Sequence, residues 1–389
     1  MSRLESSNAE VMLEKMDELN EDAARLNIRM RTRANSPAQQ PWHKPEKEDR
    51  PKIAKHALSA GVHAEPYLWR WRDIKPYLEK VAEMCPIEFT ERQQLHLLNP
   101  GFGGELRIAN SIRAAISIYK PGDTAPVHVH TPNATRTILS SAGGHSIVEG
   151  ERCDAERGDI IVTPNGAWHG HGNDDDDPVV WLDILDWPLM EFLDSIWVDS
   201  EPPEDVRTSE VPSEYSAAVY GSGGIIPRFI NRSRGSGAKV TPQFHFRGRD
   251  IANALEQLSL LDADPYDGAV VEVVDPTTGA PPFPSLSYRA RRLEAGHQTL
   301  RMRHTASTVY CVLEGKGTSL IGKQRFEWGP NDVFVVPNHT WQSHHIEEGG
   351  HAVLYTVSDA PLLKMLGQFR AQGRSVNGEI QNLDASARG

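Results

Sequence analysis

The stretches APVHVHT (125–131) and AWHGHG (167–172) each set two histidines one residue apart, His128 with His130 and His169 with His171. Alternate side chains of a β-strand share a face, so each pair points both imidazoles the same way, and antiparallel strands can converge them on one ion. One such pair is easily met by chance among 16 histidines. Two pairs, each preceded by a proline and strand-like residues, point instead to a mononuclear metal site within β-structure.

Outward from these pairs, Leu95 to Val198 is a series of short β-rich runs broken by Gly, Pro, Asn and Asp, among them SIRAAISIYKPGD (111–123), GDIIVTP (158–164) and PVVWLDILD (178–186). That spacing means a sandwich or small barrel. The four acids Asp174 to Asp177 lie between strand-like runs without EF-hand spacing and read as a solvated hairpin turn. A loop-like connection is expected from about Ser200 to Pro242, then a short helix over Ile251 to Leu261, and strand texture returns from Ala269 to Val357. Upstream, Met12, Met16, Leu19, Ala23 and Leu26 recur every three to four residues between Glu10 and Ile28, which predicts an amphipathic helix suited to packing or subunit contact. Arg31 to Lys55 reads as an extended arm, and a second helix is expected from Asp73 to Met84.

The two β-rich regions repeat each other at an offset near 174 residues. Gly122, five residues, then His128-Val129-His130 matches Gly296, five residues, then Met302-Arg303-His304. Trp168-His169 likewise matches Trp341-Gln342. The second copy thus keeps one histidine beside a thioether and an amide, a poor divalent-metal site. It is expected to be metal-free and to act as scaffold, interface or support.

At 389 residues the chain can form two domains with ordinary cores. Its net charge of −12 argues against nucleic-acid or anionic-membrane partners. Cys85, Cys153 and Cys311 stand far apart without CxxC spacing, so neither a disulfide framework nor a thiolate site is suggested. With no apolar run near the ~20 residues that span a bilayer and no signal-peptide pattern, a cytoplasmic protein is expected.

Glycine, five residues, His-x-His, then Gly-Asp with Pro and His beyond, resembles the signature of the cupin barrel. The longer strings APVHVHTPNATR (125–136), IVEGERCDAERGDIIVTPNGAWHGHGN (147–173), WLDILDWPL (181–189) and SLIGKQRFEWGPNDVFVVPNHTW (319–341) resemble the gentisate 1,2-dioxygenase and salicylate 1,2-dioxygenase family, with likeness from about Tyr67 to Arg370. The resemblance implies a mainly β bicupin of two jelly-roll barrels. Boundaries follow as an arm (1–65), a metal-bearing N-terminal cupin (66–200), a linker with short helix (201–265), a C-terminal cupin (266–370) and a tail (371–389).

It further implies one Fe(II) held by His128, His130 and His169, and O2-dependent cleavage of a 2-hydroxybenzoate between its carboxyl-bearing and hydroxyl-bearing carbons, by a homotetramer. The glutamate that many cupins add is replaced here by Ala134 or Thr135. Three neutral imidazoles would leave positions for a chelating carboxylate and hydroxyl and for O2. Arg136, six residues past His130 and of the same parity, is expected to grip the substrate carboxylate, the alternative being a pairing with a surface acid. In the resembling enzymes the place of His171 is a catalytic position outside the ligand set, although a fourth ligand is equally open. Asp183 is expected to orient an imidazole or arginine. Asp186 is expected at a turn or helix cap. Arg92 matches an arginine near the family's site, with a structural ion pair as the alternative.

Two substitutions depart from the family. Arg113 stands where relatives carry Trp or Tyr, and Ser117 where they carry Gln. If Arg113 faces the pocket it adds positive charge, so that 5-nitro-, 5-amino- or 5-halosalicylate competes with gentisate as substrate, with Arg92, Arg113, Ser117 and Arg136 as the substrate-binding set. A non-catalytic storage or ligand-binding bicupin is the alternative from another class, and another cupin metalloenzyme remains open because imidazoles accept several divalent ions.

Overall fold

The computed structural model, which describes residues 3–30, 63–84, 92–140, 142–207, 211–223, 241–261 and 263–384, turns the β-rich texture into four antiparallel sheets. The expected arm from Arg31 to Lys55, Cys85, and the glycine- and serine-rich part of the linker lie outside the described residues. The first pair comprises a seven-stranded sheet, ordered Ile28–Met30, Gln93–Leu97, Arg113–Tyr119, Val179–Leu185, Ala134–Ile138, Ile160–Thr163 and His245–Phe246, and a five-stranded sheet, ordered Val198–Asp199, Thr124–His130, His169–Gly172, Ala142–Val148 and Glu151–Glu156. The second pair comprises a six-stranded sheet centred on Ser287–Leu293, Ala352–Ser358 and Thr308–Glu314, and another centred on Gly317–Ile321, Gln342–Ile346 and Met302–His304. Two barrels in tandem result.

Strand Arg113–Tyr119 is buried along its whole length because both of its faces are covered. Ala114, Ile116 and Ile118 pack outward into an apolar core shared with Leu95, Leu97, Ile74 and Leu78. Their odd-numbered neighbours Arg113, Ser117 and Tyr119 turn inward. The polar members of this inner wall are what the site is made of.

The N-terminal helix runs from Arg3 to Ala24 and buries Met16, Leu19 and Ala23. After a turn with Asn27 at φ 52°, Ile28–Met30 pairs with Gln93–Leu97 as an edge strand of the first barrel. The second helix spans Trp71–Met84 and the later one Gly248–Ser259, each within a few residues of expectation. The expected loop from Ser200 carries two short helices instead, Glu204–Arg207 and Tyr215–Tyr220. A tertiary contact organises the latter, since the backbone N–H and hydroxyl of Ser216 both donate to buried Glu151. The acid run Asp174 to Asp177 forms an exposed turn, where Asp174 pairs with Arg152 at 2.7 Å.

The barrels exchange edges. Tyr67–Trp69 precedes every other strand of the first barrel except Ile28–Met30, yet pairs with Val333–Val335 of the second. His245–Phe246 lies within the expected linker but pairs with Ile160–Ile161 of the first. Reciprocal contacts relate the two halves: Ser285 donates to Asp186, and Ser111 donates to Asp359. Asp186 does stand at the start of helix Trp187–Phe192, but its side chain makes no cap bond and instead accepts from Asn133 and Ser285, so the cap expected of it is replaced by a tie between barrels.

Candidate metal centre and substrate site

Pairing of His169 with His128 across antiparallel strands brings the two His-x-His motifs face to face. Ligand atoms of His128, His130 and His169 all lie within 4.8 Å of one another, and all three residues are buried. Gly170, between His169 and His171, allows the strands to approach, for a Cβ there would come within 3.2 Å of the Ala125 carbonyl oxygen and 3.3 Å of Val127. Each imidazole has its Nδ1 against a carbonyl: His128 with Pro126 at 3.0 Å, His130 with Pro132 at 2.8 Å and His169 with Ala167 at 2.9 Å. A carbonyl only accepts, so Nδ1 carries the proton and Nε2 is left with a bare lone pair.

Among the described residues the buried Nε2 atoms of His130 and His169 have no hydrogen-bond partner, and that of His128 faces the Arg92 guanidinium. Burial, reinforced by nearby arginine charge, pushes the pKa of His130 down to about 3 and those of His128 and His169 well below the usual imidazole value. Neutral imidazoles gathered this closely, two of them with unpartnered lone pairs, fit a divalent transition-metal ion.

The surroundings sort the remaining candidates. His171 lies outside the close three-histidine group; its Nδ1 is 3.0 Å from Ser146 Oγ and its ring packs edge-on to Tyr119 and Trp181. Arg136 is 1% exposed and sits opposite Asp183 in register, with its Nε 3.6 Å from Oδ1 and Nη1 donating to Thr163. Its neighbouring acid is therefore a buried one. Ser117, expected to touch substrate, gives its hydroxyl hydrogen to Asp183. Arg113 does lie on the inner wall, where it donates to His96 Nε2 at 3.1 Å and its Cζ stands 5.1 Å from the centre of the Trp187 ring. Burial lowers the pKa values of Arg113 and Arg136 to about 10, which leaves both charged at neutral pH.

Comparison with known proteins places this arrangement. A cupin domain is matched over residues 115–185. The chain is 32% identical over 330 residues to the 5-aminosalicylate 1,2-dioxygenase of Comamonas sp., covering 84% of this chain and 86% of that protein. The chain belongs to the gentisate and salicylate 1,2-dioxygenase family. Gentisate 1,2-dioxygenase 1 of Aquipseudomonas alcaligenes is also 32% identical, over 305 residues, covering 78% of this chain and 86% of that protein. Among solved structures, salicylate 1,2-dioxygenase of Pseudaminobacter salicylatoxidans superposes with a TM-score of 0.73 at 30% identity, covering 80% of this chain and 90% of that one. Its adduct with gentisate gives a TM-score of 0.74 at 28% identity, covering 87% and 96%. As a member of this family of ring-cleaving dioxygenases, the protein is a bicupin enzyme with a buried three-histidine group that could hold a metal ion.

In the dioxygenase's second barrel, Met302 pairs with Gln342 as His128 does with His169, but the Gln342 amide oxygen accepts from Tyr310 at 2.7 Å. His344 stands where His171 does and keeps the same hydroxyl partner, with Ser319 Oγ 2.8 Å from Nδ1. The serine–histidine pair is thus common to both barrels, whereas the convergent triad is present in the first.

Sequence reading missed three residues that line the dioxygenase's site. Gln94 and His96 sit on the strand Gln93–Leu97 beside Ser117 and Arg113, and their place depends on a register that no local pattern encodes. Trp187, 6.2 Å from the His130 ring, supplies near Arg113 an aromatic surface from a neighbouring helix.

Proposed function

We propose that the bound metal is Fe(II), held by His128, His130 and His169, and that the enzyme opens a 2-hydroxybenzoate between its carboxyl- and hydroxyl-bearing carbons with incorporation of both atoms of O2. The observation that carries this reading is the close group of three buried imidazoles, two of them with unpartnered Nε2 atoms, beside a buried arginine in one barrel. Iron there would supply Lewis acidity toward the substrate oxygens and electrons toward O2. The names of the relatives, acting on aminosalicylate and gentisate, support the substrate class.

The chain's own residues do the rest. Arg136, anchored to Thr163 and held beside Asp183, presents a fixed guanidinium fork to the substrate carboxylate. Arg92 stands beside His128 and Arg113 beside Trp187, so the pocket gathers three cations against Asp183 and Glu191. That balance favours an anionic ring. His171 is kept neutral by burial, and because the Ser146 hydroxyl can either donate or accept, its Nε2 can give or take a proton at the substrate hydroxyl. Tyr119 and Trp181 wall this histidine off from water. The second barrel serves as support, and family likeness favours a homotetramer.

Anaerobic loading with Fe(II), followed by a panel of gentisate and 5-substituted salicylates with oxygen uptake recorded, tests the activity. Loss of aromatic absorbance matched by oxygen consumption is expected. Iron bound to His169→Ala should fall to background, and full iron retention in that variant would overturn the ligand assignment.

A further inference from the structure

We propose that Gln94 is a positioning residue, which holds Asp183 so that Arg136 is aimed at the substrate carboxylate. The proposal rests on the reading of Arg136 given above. Gln94 is buried on the inner wall, directly opposite Ser117 in the pairing of their strands. Its Nε2 lies 2.9 Å from Ser117 Oγ and 2.9 Å from Asp183 Oδ2. Ser117 Oγ donates to that same Oδ2. One carboxylate oxygen therefore receives two neutral donors, while the other, Oδ1, faces Arg136 Nε at 3.6 Å.

The division of labour has a physical consequence. At 3.6 Å Arg136 Nε makes no hydrogen bond, and among the described residues it has no other partner, so that side of the guanidinium is steered by the carboxylate's charge alone. Its direction then depends on where the carboxylate points. With two donors on Oδ2 the carboxylate cannot rotate toward Arg136, and the guanidinium keeps its outer hydrogens for a ligand. Neutral donors suit the task, because a cation in place of Gln94 would compete with Arg136 for the same negative charge. Without the amide, a single hydroxyl that has lost its own donor is left on Oδ2, and Asp183 can swing and close on Arg136 Nε, drawing the fork away from the pocket.

The test uses the Fe(II)-loaded enzyme and salicylate. Under nitrogen, where no turnover occurs, calorimetry gives the salicylate Kd; in air, steady-state rates give KM and kcat. Gln94→Ala is expected to raise Kd and KM about tenfold while kcat and iron content change less than about twofold, the pattern of a lost contact common to ground and transition states. Adding Ser117→Gln to Gln94→Ala places an amide on the facing strand within reach of the same carboxylate and should recover most of the loss. Gln94→Glu keeps the volume but sets a second carboxylate against Asp183, its fold being checked by circular dichroism and iron content; salicylate binding should then weaken as pH rises. Unchanged Kd in Gln94→Ala, a loss that Ser117→Gln does not repair, or pH-independent binding by Gln94→Glu overturns the proposal. Arg136→Lys separates it from its premise: weakened binding there with none in Gln94→Ala sinks this proposal alone, whereas unchanged binding in Arg136→Lys removes the premise as well.

Discussion

Arg113 is a buried charge on the inner wall of the first barrel, and its environment explains how it is tolerated there. The guanidinium donates to His96, lies over Trp187, and feels the carboxylate of Glu191, which itself accepts from the Trp187 indole at 2.9 Å. A cation over an aromatic face in a desolvated site is stabilised by about 2 kcal/mol, so the position can stay both charged and buried. We expect Arg113→Trp to change the ratio of kcat/KM for 5-nitrosalicylate over salicylate by about tenfold. Iron content should hardly move, since Arg113 touches no ligand. An identical substrate ranking in the oxygen-uptake assay would show that the charge does not face the ring.

Strands and their connections decide which parts of this architecture could be read in advance. The two His-x-His motifs were legible because parity within a strand is local: once Thr124–His130 is extended, His128 and His130 must share a face. Helices at Trp71–Met84 and Gly248–Ser259 were placed to within a few residues. Gln94 was not, because its role arises from facing Ser117 across two strands separated by a 15-residue connection whose register is fixed by tertiary packing. Nor was the edge strand His245–Phe246, which lies in what reads as linker. Its histidine makes that edge a pH-dependent element: Nδ1 meets Glu214 at 2.6 Å and Nε2 meets Asp159 at 2.8 Å, with Arg247 also on Glu214. Although burial opposes the charge, these two carboxylates raise the His245 pKa to about 9. Because the folded value lies above the ordinary 6.5, the stabilisation is fully present below pH 6.5 and is lost as pH rises through about 9. On the order of 3 kcal/mol is at stake. Melting temperatures measured from pH 6 to 10 should fall more steeply for the native protein than for His245→Gln, and parallel curves would remove the imidazolium from the account.

Across the whole molecule the duplication has been kept as an interface, while among the described residues the three-histidine group belongs to the first barrel. Asp186 with Ser285 and Asp359 with Ser111 mirror each other, and between them Arg157 donates to the carbonyls of Leu139 and Leu313, equivalent positions of the two repeats. This joint survives substitution of the ligand positions by Met302 and Gln342 because it uses a different face of each barrel. The exchange of edges by Tyr67–Trp69 and His245–Phe246 carries the consequence furthest. A gene bisected in the 224–240 region would yield a front fragment bearing a strand with nowhere to pair and a rear fragment that has taken the other's closing strand with it. Each half alone would show raw backbone donors and acceptors and should precipitate or smear on gel filtration. Co-expression should restore one soluble species, so that the half with the three-histidine group would be heritable only together with its twin.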